Sequence, residues 1–134
     1  MKKILLWLWQ LPQHLLALII WGILRLMNKI LIFNHIDGKW LITVDVPGWG
    51  ISLGIYIFMD QHYPKKEWVH EFGHSIQSEY TGPVYLPLVG IPSAVFNNLW
   101  DRLFHKNWTW EKRHTWYYNR YPEKWADRLG GVKR

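Results

Sequence analysis

No cysteine occurs among the 134 residues. Disulfide bonds are excluded, and thiolate-ligated zinc sites with them. Acidic residues are scarce, 10 against 16 Lys and Arg, so the formal net charge is +6. There is no phosphate-cradling glycine loop, internal repeat or low-complexity tract. No apolar run is clean over the roughly 20 residues that a membrane-crossing helix needs. Ile4 to Leu24 covers 21 residues, but Gln10, Pro12, Gln13 and His14 interrupt it, and the clean part, Leu15 to Leu24, is ten residues long. No small-residue cleavage pattern follows the run, so a removed signal peptide is not expected. Lys2 and Lys3 on one side oppose Arg25 and Lys29 on the other, so charge does not orient the segment. A spanning anchor, a kinked helix lying partly in the bilayer and the core helix of a soluble fold are the open readings; membrane attachment is the expected one. The length suits one domain with a modest core. We divide it into an apolar, membrane-associating N-terminal region, 1–36, and a minimal metal-binding domain, 37–134.

What the chain does contain is His70-Glu71-Phe72-Gly73-His74, two histidines four apart with a glutamate beside the first. On a helix, positions i and i+4 lie about 40° apart, so both imidazoles reach one metal ion. Glu71 sits about 100° round from His70, placed to hold a water without being a ligand. The spacing predicts a helix from Pro64 to a stop at Gly82. Val69, Phe72, Gly73, Ile76 and Tyr80 form its expected buried face, and His70, His74 and Gln77 a polar stripe along one edge. Gly73 costs about 1 kcal/mol in a helix and is read as letting another backbone pack close behind the metal. The bland reading, two helix histidines on a solvated face, leaves Glu71 and the stripe unexplained.

A zinc enzyme needs a third protein ligand and one open position. Glu79 points to the opposite side of the same helix. Gln77 and Tyr80 stand where a third histidine shortly downstream would need Gly and His or Asp, which excludes the metzincin arrangement. The best candidate is Glu123-Lys124-Trp125-Ala126-Asp127, on a short helix opened by Pro122 and closed by Gly130-Gly131. Glu123 is the candidate ligand. Asp127, one turn on, can accept a hydrogen bond from a ligating histidine and fix its tautomer. Taken alone, the pair reads as ordinary solvated acids.

H-E-x-x-H followed at a distance by E-x-x-A-D resembles the gluzincin metallopeptidases, closest to the integral-membrane branch with the CAAX-prenyl endopeptidases and heat-shock membrane proteases. That match covers 64–82 and 115–131. Gly82-Pro83-Val84-Tyr85-Leu86 and Thr115 to Val132 also resemble small bacterial proteins that carry the same two motifs. The resemblance implies zinc at His70, His74 and Glu123, with Glu71 as general base. It implies a zinc metalloendopeptidase acting on a peptide or protein substrate, at a bacterial inner membrane with the site towards the cytoplasm. His114, Tyr117, Tyr118 and Tyr121, just upstream of Glu123, are the candidate oxyanion donors. A non-hydrolytic zinc-binding module and a membrane-surface interaction protein are the alternatives.

The rest of the chain is expected to give an α+β fold, mainly helical. The apolar N-terminal helix comes first. A β-hairpin, Lys39–Val46 and Ser52–Phe58 joined by Pro47-Gly48-Trp49-Gly50, precedes the zinc helix in zincin-like order. Leu53-Gly54-Ile55 is a candidate exposed edge for an extended substrate. Tyr85 to Trp100 is apolar but broken by Pro87, Gly90 and Pro92, with Ser93 as a cap for a new helix; we expect it to return to the side it left. Residues 101–134 carry nine basic and four acidic residues interleaved with Trp and Tyr. Such a mixture fits nucleic acid or an anionic membrane surface. Beside the apolar N-terminus, membrane lipid is the expected partner and nucleic acid is not.

Overall fold

A computed structural model describes all 134 residues. The fold is α+β, with one four-stranded sheet and six α-helices. Helices α1 (Lys2–Trp9) and α2 (Leu11–Leu26) come first. Strands β1 (Ile30–Ile36), β2 (Lys39–Val44), β3 (Gly50–Leu53) and β4 (Tyr56–Asp60) follow. Then come α3 (Lys65–Thr81), a helical connection, α4 (Trp100–Phe104), α5 (Trp110–Tyr118) and α6 (Glu123–Gly130).

The sheet order is β1-β2-β4-β3. β1 pairs antiparallel with β2, β2 runs parallel to β4, and β3 pairs antiparallel with β4 as the edge nearest the site. This corrects the two-stranded expectation in three places. β1 was expected within the apolar N-terminal region. Its signal was Asp37-Gly38, whose φ angles of 49° and 79° close the two-residue turn between paired Ile36 and Lys39. Ser52–Phe58 is not one strand but parts of two, separated at Gly54-Ile55. Leu53-Gly54-Ile55 is not an open edge either. Gly54 takes φ +66°, and the space its Cβ would occupy lies 2.2 Å from the His14 imidazole, which covers it.

The apolar core gathers Ala17 and Leu24 of α2, Ile42 and Val44 of β2, Leu53, Phe58, and Tyr85 and Val89 of the connection. The connection differs from expectation as well. After a short 3₁₀ turn, Leu86–Gly90 and Pro92–Leu99 wind as π-helix and run into α4, so Ser93 caps nothing. Each proline sits in the first turn of its segment, where a missing N–H costs least.

α3 buries mainly its polar side, and of the face expected to be buried only Gly73 is fully enclosed. Its buried residues are His70, Gly73, His74, Ser75, Gln77 and Ser78, while Tyr80 is exposed and Val69, Phe72 and Ile76 are half-buried. The polar stripe is enclosed because two polar neighbours meet it, α6 on one side and the α1–α2 junction on the other. At the junction Gln13 donates to Ser78 Oγ (2.7 Å) and to the Gly82 carbonyl (2.9 Å), and Ser78 donates to Gln10 Oε1 (2.7 Å). Gln10, Gln13 and His14 are fully buried, whereas Ile4, Leu5, Leu15, Ile19, Ile23 and Leu26 are more than half exposed. The α1–α2 junction therefore turns its uncharged polar residues inward, and most large apolar residues of the two helices face outward, while Ala17 and Leu24, with Leu16 and Ile20 beside them, reach the core. The residues that interrupt the apolar run are the ones that dock it.

Candidate metal centre and its clefts

α3 and α6 meet backbone to backbone. A Cβ on Gly73 would lie 1.9 Å from the Ala126 carbonyl oxygen, and one on Gly130 would lie 2.3 Å from that of Val69. Glycine on each helix permits this approach, and short carboxylates on α6 then reach histidines on α3. His70 Nε2 lies 3.1 Å and His74 Nε2 3.0 Å from the same atom, Glu123 Oε2. His70 Nδ1 donates to Asp127 Oδ1 at 2.7 Å. His74 Nδ1 donates to Gln77 Oε1 at 2.7 Å, and Gln77 Nε2 donates to the Pro122 carbonyl at 2.9 Å, which fixes the amide's orientation. His70, Glu71 and His74 also offer ligand atoms all within 4.8 Å of one another. The ε nitrogens nevertheless converge on Glu123, and Glu71 stands beside them.

With both δ nitrogens committed as donors, both ε nitrogens turn lone pairs towards one carboxylate oxygen. Two lone pairs and an anion meet where His70 is 3%, His74 5% and Glu123 0% exposed. Such a cluster is stable only with a proton or a cation at its centre. In the metal-free protein the proton goes to His70. Burial opposes its charge, but the Asp127 and Glu123 carboxylates prevail and raise its pKa to about 9. Burial would raise the Glu123 carboxyl, yet the imidazoles, His74 foremost, hold it below the usual carboxylate range.

Further residues that the sequence did not point to complete the setting. Asn97 Nδ2 donates to Glu123 Oε1 (3.2 Å) and to the Tyr121 carbonyl (3.0 Å), and Arg120 Nε donates to Asn97 Oδ1 (3.1 Å). Arg134 Nε donates to Asp127 Oδ2 (2.7 Å), its other nitrogens reach Glu67, and its guanidinium lies 3.2 Å from the Tyr118 ring centre. No local pattern announces these residues, because each acts across 7 to 67 positions of sequence.

Glu71 is different in kind. Its Oε2 is buried and has no hydrogen-bond partner. Burial raises its pKa. It lines two clefts at once. The smaller, about 290 Å³, is polar, with Tyr63, Asp101, Arg113 and His114 among its walls. The larger, about 660 Å³, is mainly apolar and runs along β3 beside Tyr85, Leu86, Ile91 and Val95. Gly48, Gly50, Glu71, Asn98 and Tyr117 belong to both, so Glu71 stands at the seam.

All four candidate oxyanion donors have engagements, Tyr117 with the Ser93 and Asn98 side chains. Tyr118 donates to Glu67 Oε2 (2.8 Å), Tyr121 is largely exposed and donates to the Leu88 carbonyl (2.6 Å), and His114 Nε2 faces Arg134 (3.2 Å). Tyr117 alone borders both clefts with Glu71. The basic, aromatic C-terminal stretch is also partly engaged. Lys112 lies over Trp108, Arg120 over Trp116, and Trp108 stacks on His105 at 3.7 Å. Those faces are not open platforms for bases. Glu79 pairs with Lys39, away from the histidines. No protein-family model, curated protein or solved structure matches this chain.

Proposed function

We propose that the chain is a membrane-associated zinc metallopeptidase of gluzincin type, with a zincin-like arrangement of edge strand, zinc helix and ligand-bearing helix. One observation carries the metal reading: two imidazole lone pairs and a carboxylate oxygen converge in a buried spot, each imidazole held by an acceptor behind it. In a tetrahedral zinc site, ligands about 2.0–2.1 Å from the ion stand about 3.3 Å apart, close to the separations here. The donor set, two imidazole nitrogens and one carboxylate oxygen, suits zinc. His70, His74 and Glu123 would hold the ion, and Asp127 and Gln77 orient the imidazoles.

When bound, zinc supplies an acidified water and a polarised substrate carbonyl. Glu71 takes the proton of the attacking water, and its raised pKa lets it keep that proton until the leaving amine accepts it. Tyr117, at the seam, is the group placed to donate to the developing oxyanion. An extended peptide is held along β3, where main-chain pairing sets the scissile bond beside Glu71. The outward-facing apolar residues of α1 and α2 and the basic net charge support a membrane location. No single helix is long and apolar enough to cross a membrane.

Elemental analysis of purified protein before and after chelation tests the central reading; a wild-type chain that takes up no metal sinks it. A graded series tests the ligand set. Asp127→Asn should weaken zinc binding about 10- to 100-fold, as expected for a residue that orients a ligand. Glu79→Ala should leave it unchanged. A titration in which Glu79 matters more than Asp127 overturns the assignment.

Zinc uptake should also release a proton at neutral pH. His70 of the metal-free protein stays protonated up to about 9, and its proton competes with the ion. Affinity should therefore rise about tenfold per pH unit below that value and level off above it. Calorimetry in buffers of different ionisation enthalpy reads the released proton. A pH-independent affinity between 6 and about 9 would remove His70 from the ligand set.

A further inference from the structure

We propose that the apolar cleft opens into one leaflet of a lipid bilayer and draws from it the apolar stretch of a polypeptide substrate, whose polar stretch reaches the smaller cleft across Glu71. The substrate part rests on the metallopeptidase reading; the leaflet part does not.

Three observations carry it. The first is the inverted packing of α1 and α2. Water-soluble helices bury apolar residues and expose polar ones. Here Gln10, Gln13 and His14 are fully buried, and Leu5, Leu8, Leu15, Ile19, Ile23 and Leu26 are about half exposed or more. Only an apolar surrounding favours that arrangement. Lys2 and Lys3 before it, and Arg25 and Lys29 after it, suit anionic headgroups better than the face of another protein copy, which would bear the same charges.

The second is length. α1 has 8 residues and α2 has 16. As helices they measure about 12 and 24 Å, against a hydrocarbon thickness of about 30 Å. The two are bent by 78°. Neither helix reaches across alone. The bent pair would measure about 29 Å from end to end, but such a crossing would set its bend, which is docked on Ser78 and Gly82, at mid-bilayer. Lying slanted within a single leaflet accommodates both lengths.

The third is continuity. Leu16 of α2 and Leu86, Ile91 and Val95 of the π-helical connection line the same cleft. Ile91 and Val95 are also 50% and 42% exposed, within an outward run that includes Leu88, Phe96, Leu99 and Trp100. The rim of the cleft and the outer apolar surface are thus the same side chains. The smaller cleft has a mixed rim, where exposed Trp110 stands beside Tyr63, Asp101, Arg113 and His114. A substrate lying across Glu71 is apolar on one side of its scissile bond and polar on the other.

The absence of cysteine allows single-site probes. Ile19→Cys, Ala94→Cys and Trp110→Cys, each carrying an environment-sensitive fluorophore, sample the outer helix face, the apolar cleft and the polar cleft. Each is mixed with vesicles of phosphatidylcholine and phosphatidylglycerol bearing a nitroxide on the acyl chain. The first two should lose fluorescence and the third should not. Loss at Ile19 without loss at Ala94 overturns the opening of the cleft into lipid. No loss anywhere, or equal loss at Trp110, overturns the leaflet placement. Shielding of Ile19 without vesicles, growing with protein concentration, assigns the face to a second copy instead. In sealed vesicles, Lys2→Cys and Lys29→Cys should react with a membrane-impermeant reagent from the same side; reaction from opposite sides rules out single-leaflet insertion. Zinc content of the same samples separates the two proposals. Metal-free protein that passes the quenching test sinks only the metallopeptidase, and metal-loaded protein that fails it sinks only the leaflet.

Discussion

Glu71→Gln is expected to keep its zinc and to lose hydrolysis by about 100- to 10,000-fold, the usual contribution of a general base. His70→Ala is expected to lose both. The difference follows from where the side chains point. His70 Nε2 is directed at Glu123 Oε2, and its removal leaves two protein ligands. Glu71 Oε2 has no protein partner and lies at the seam of the two clefts. Glutamine keeps its shape, and because burial already favours the neutral carboxyl, the substitution disturbs the fold little. Elemental analysis of both variants, beside hydrolysis of a broad peptide mixture, reads the result. Loss of zinc from Glu71→Gln as complete as from His70→Ala would make Glu71 a ligand rather than a base.

Much of the local frame of this site is legible in the sequence. The α3 helix, its stop at Gly82 and the short α6 helix after Pro122 follow from i, i+4 spacing, proline and glycine. The role of Gly73 as a point of close approach was also readable, since a glycine within a helix needs a compensating contact. Whether Glu123 and Asp127 face the histidines was not, because two helices 53 residues apart meet through packing that no local pattern encodes. The same holds for Asn97 and Arg134, which touch the carboxylates, and for Arg120, which holds Asn97.

For α3, periodicity reads as apolar residues inside, and the helix inverts much of that rule. α3 buries its polar stripe because Glu123, Asp127, Gln10 and Gln13 satisfy it. Gln10 and Gln13, at the α1–α2 junction, are buried against Ser78 and Gly82, while Leu15, Leu18 and Leu26 stay outside and Leu24 joins the core. The sheet was halved for a different reason. Asp37-Gly38 and Gly54 are turn signals of ordinary strength, and each sits within an apolar stretch that reads equally well as one element.

Gly73→Ala is the substitution that ties sequence, packing and site together. Helix propensity alone predicts that it stabilises the protein by about 1 kcal/mol. Packing predicts the reverse. The new Cβ would lie 1.9, 2.6 and 2.9 Å from the carbonyl oxygen, carbonyl carbon and Cα of Ala126. These are backbone atoms, so no side-chain rotation relieves the clash and α6 must retreat by about 1 Å or more to regain ordinary contact. Glu123 and Asp127 retreat with it, far beyond the roughly 0.2 Å tolerance of a metal site. We expect a net loss of stability of about 1–3 kcal/mol, the usual range for overpacking. We also expect zinc affinity to fall by at least the 10- to 100-fold that follows loss of an orienting partner. Gly22→Ala is the control. Gly22 lies within α2 with nothing within 4 Å of its Cβ position, and there the propensity gain of about 1 kcal/mol should appear unopposed. Thermal unfolding with and without chelator, together with zinc titration, measures both variants. If Gly73→Ala gains stability as Gly22→Ala does and binds zinc like the wild type, α3 and α6 do not touch as described, and Glu123 is not held against His70 and His74.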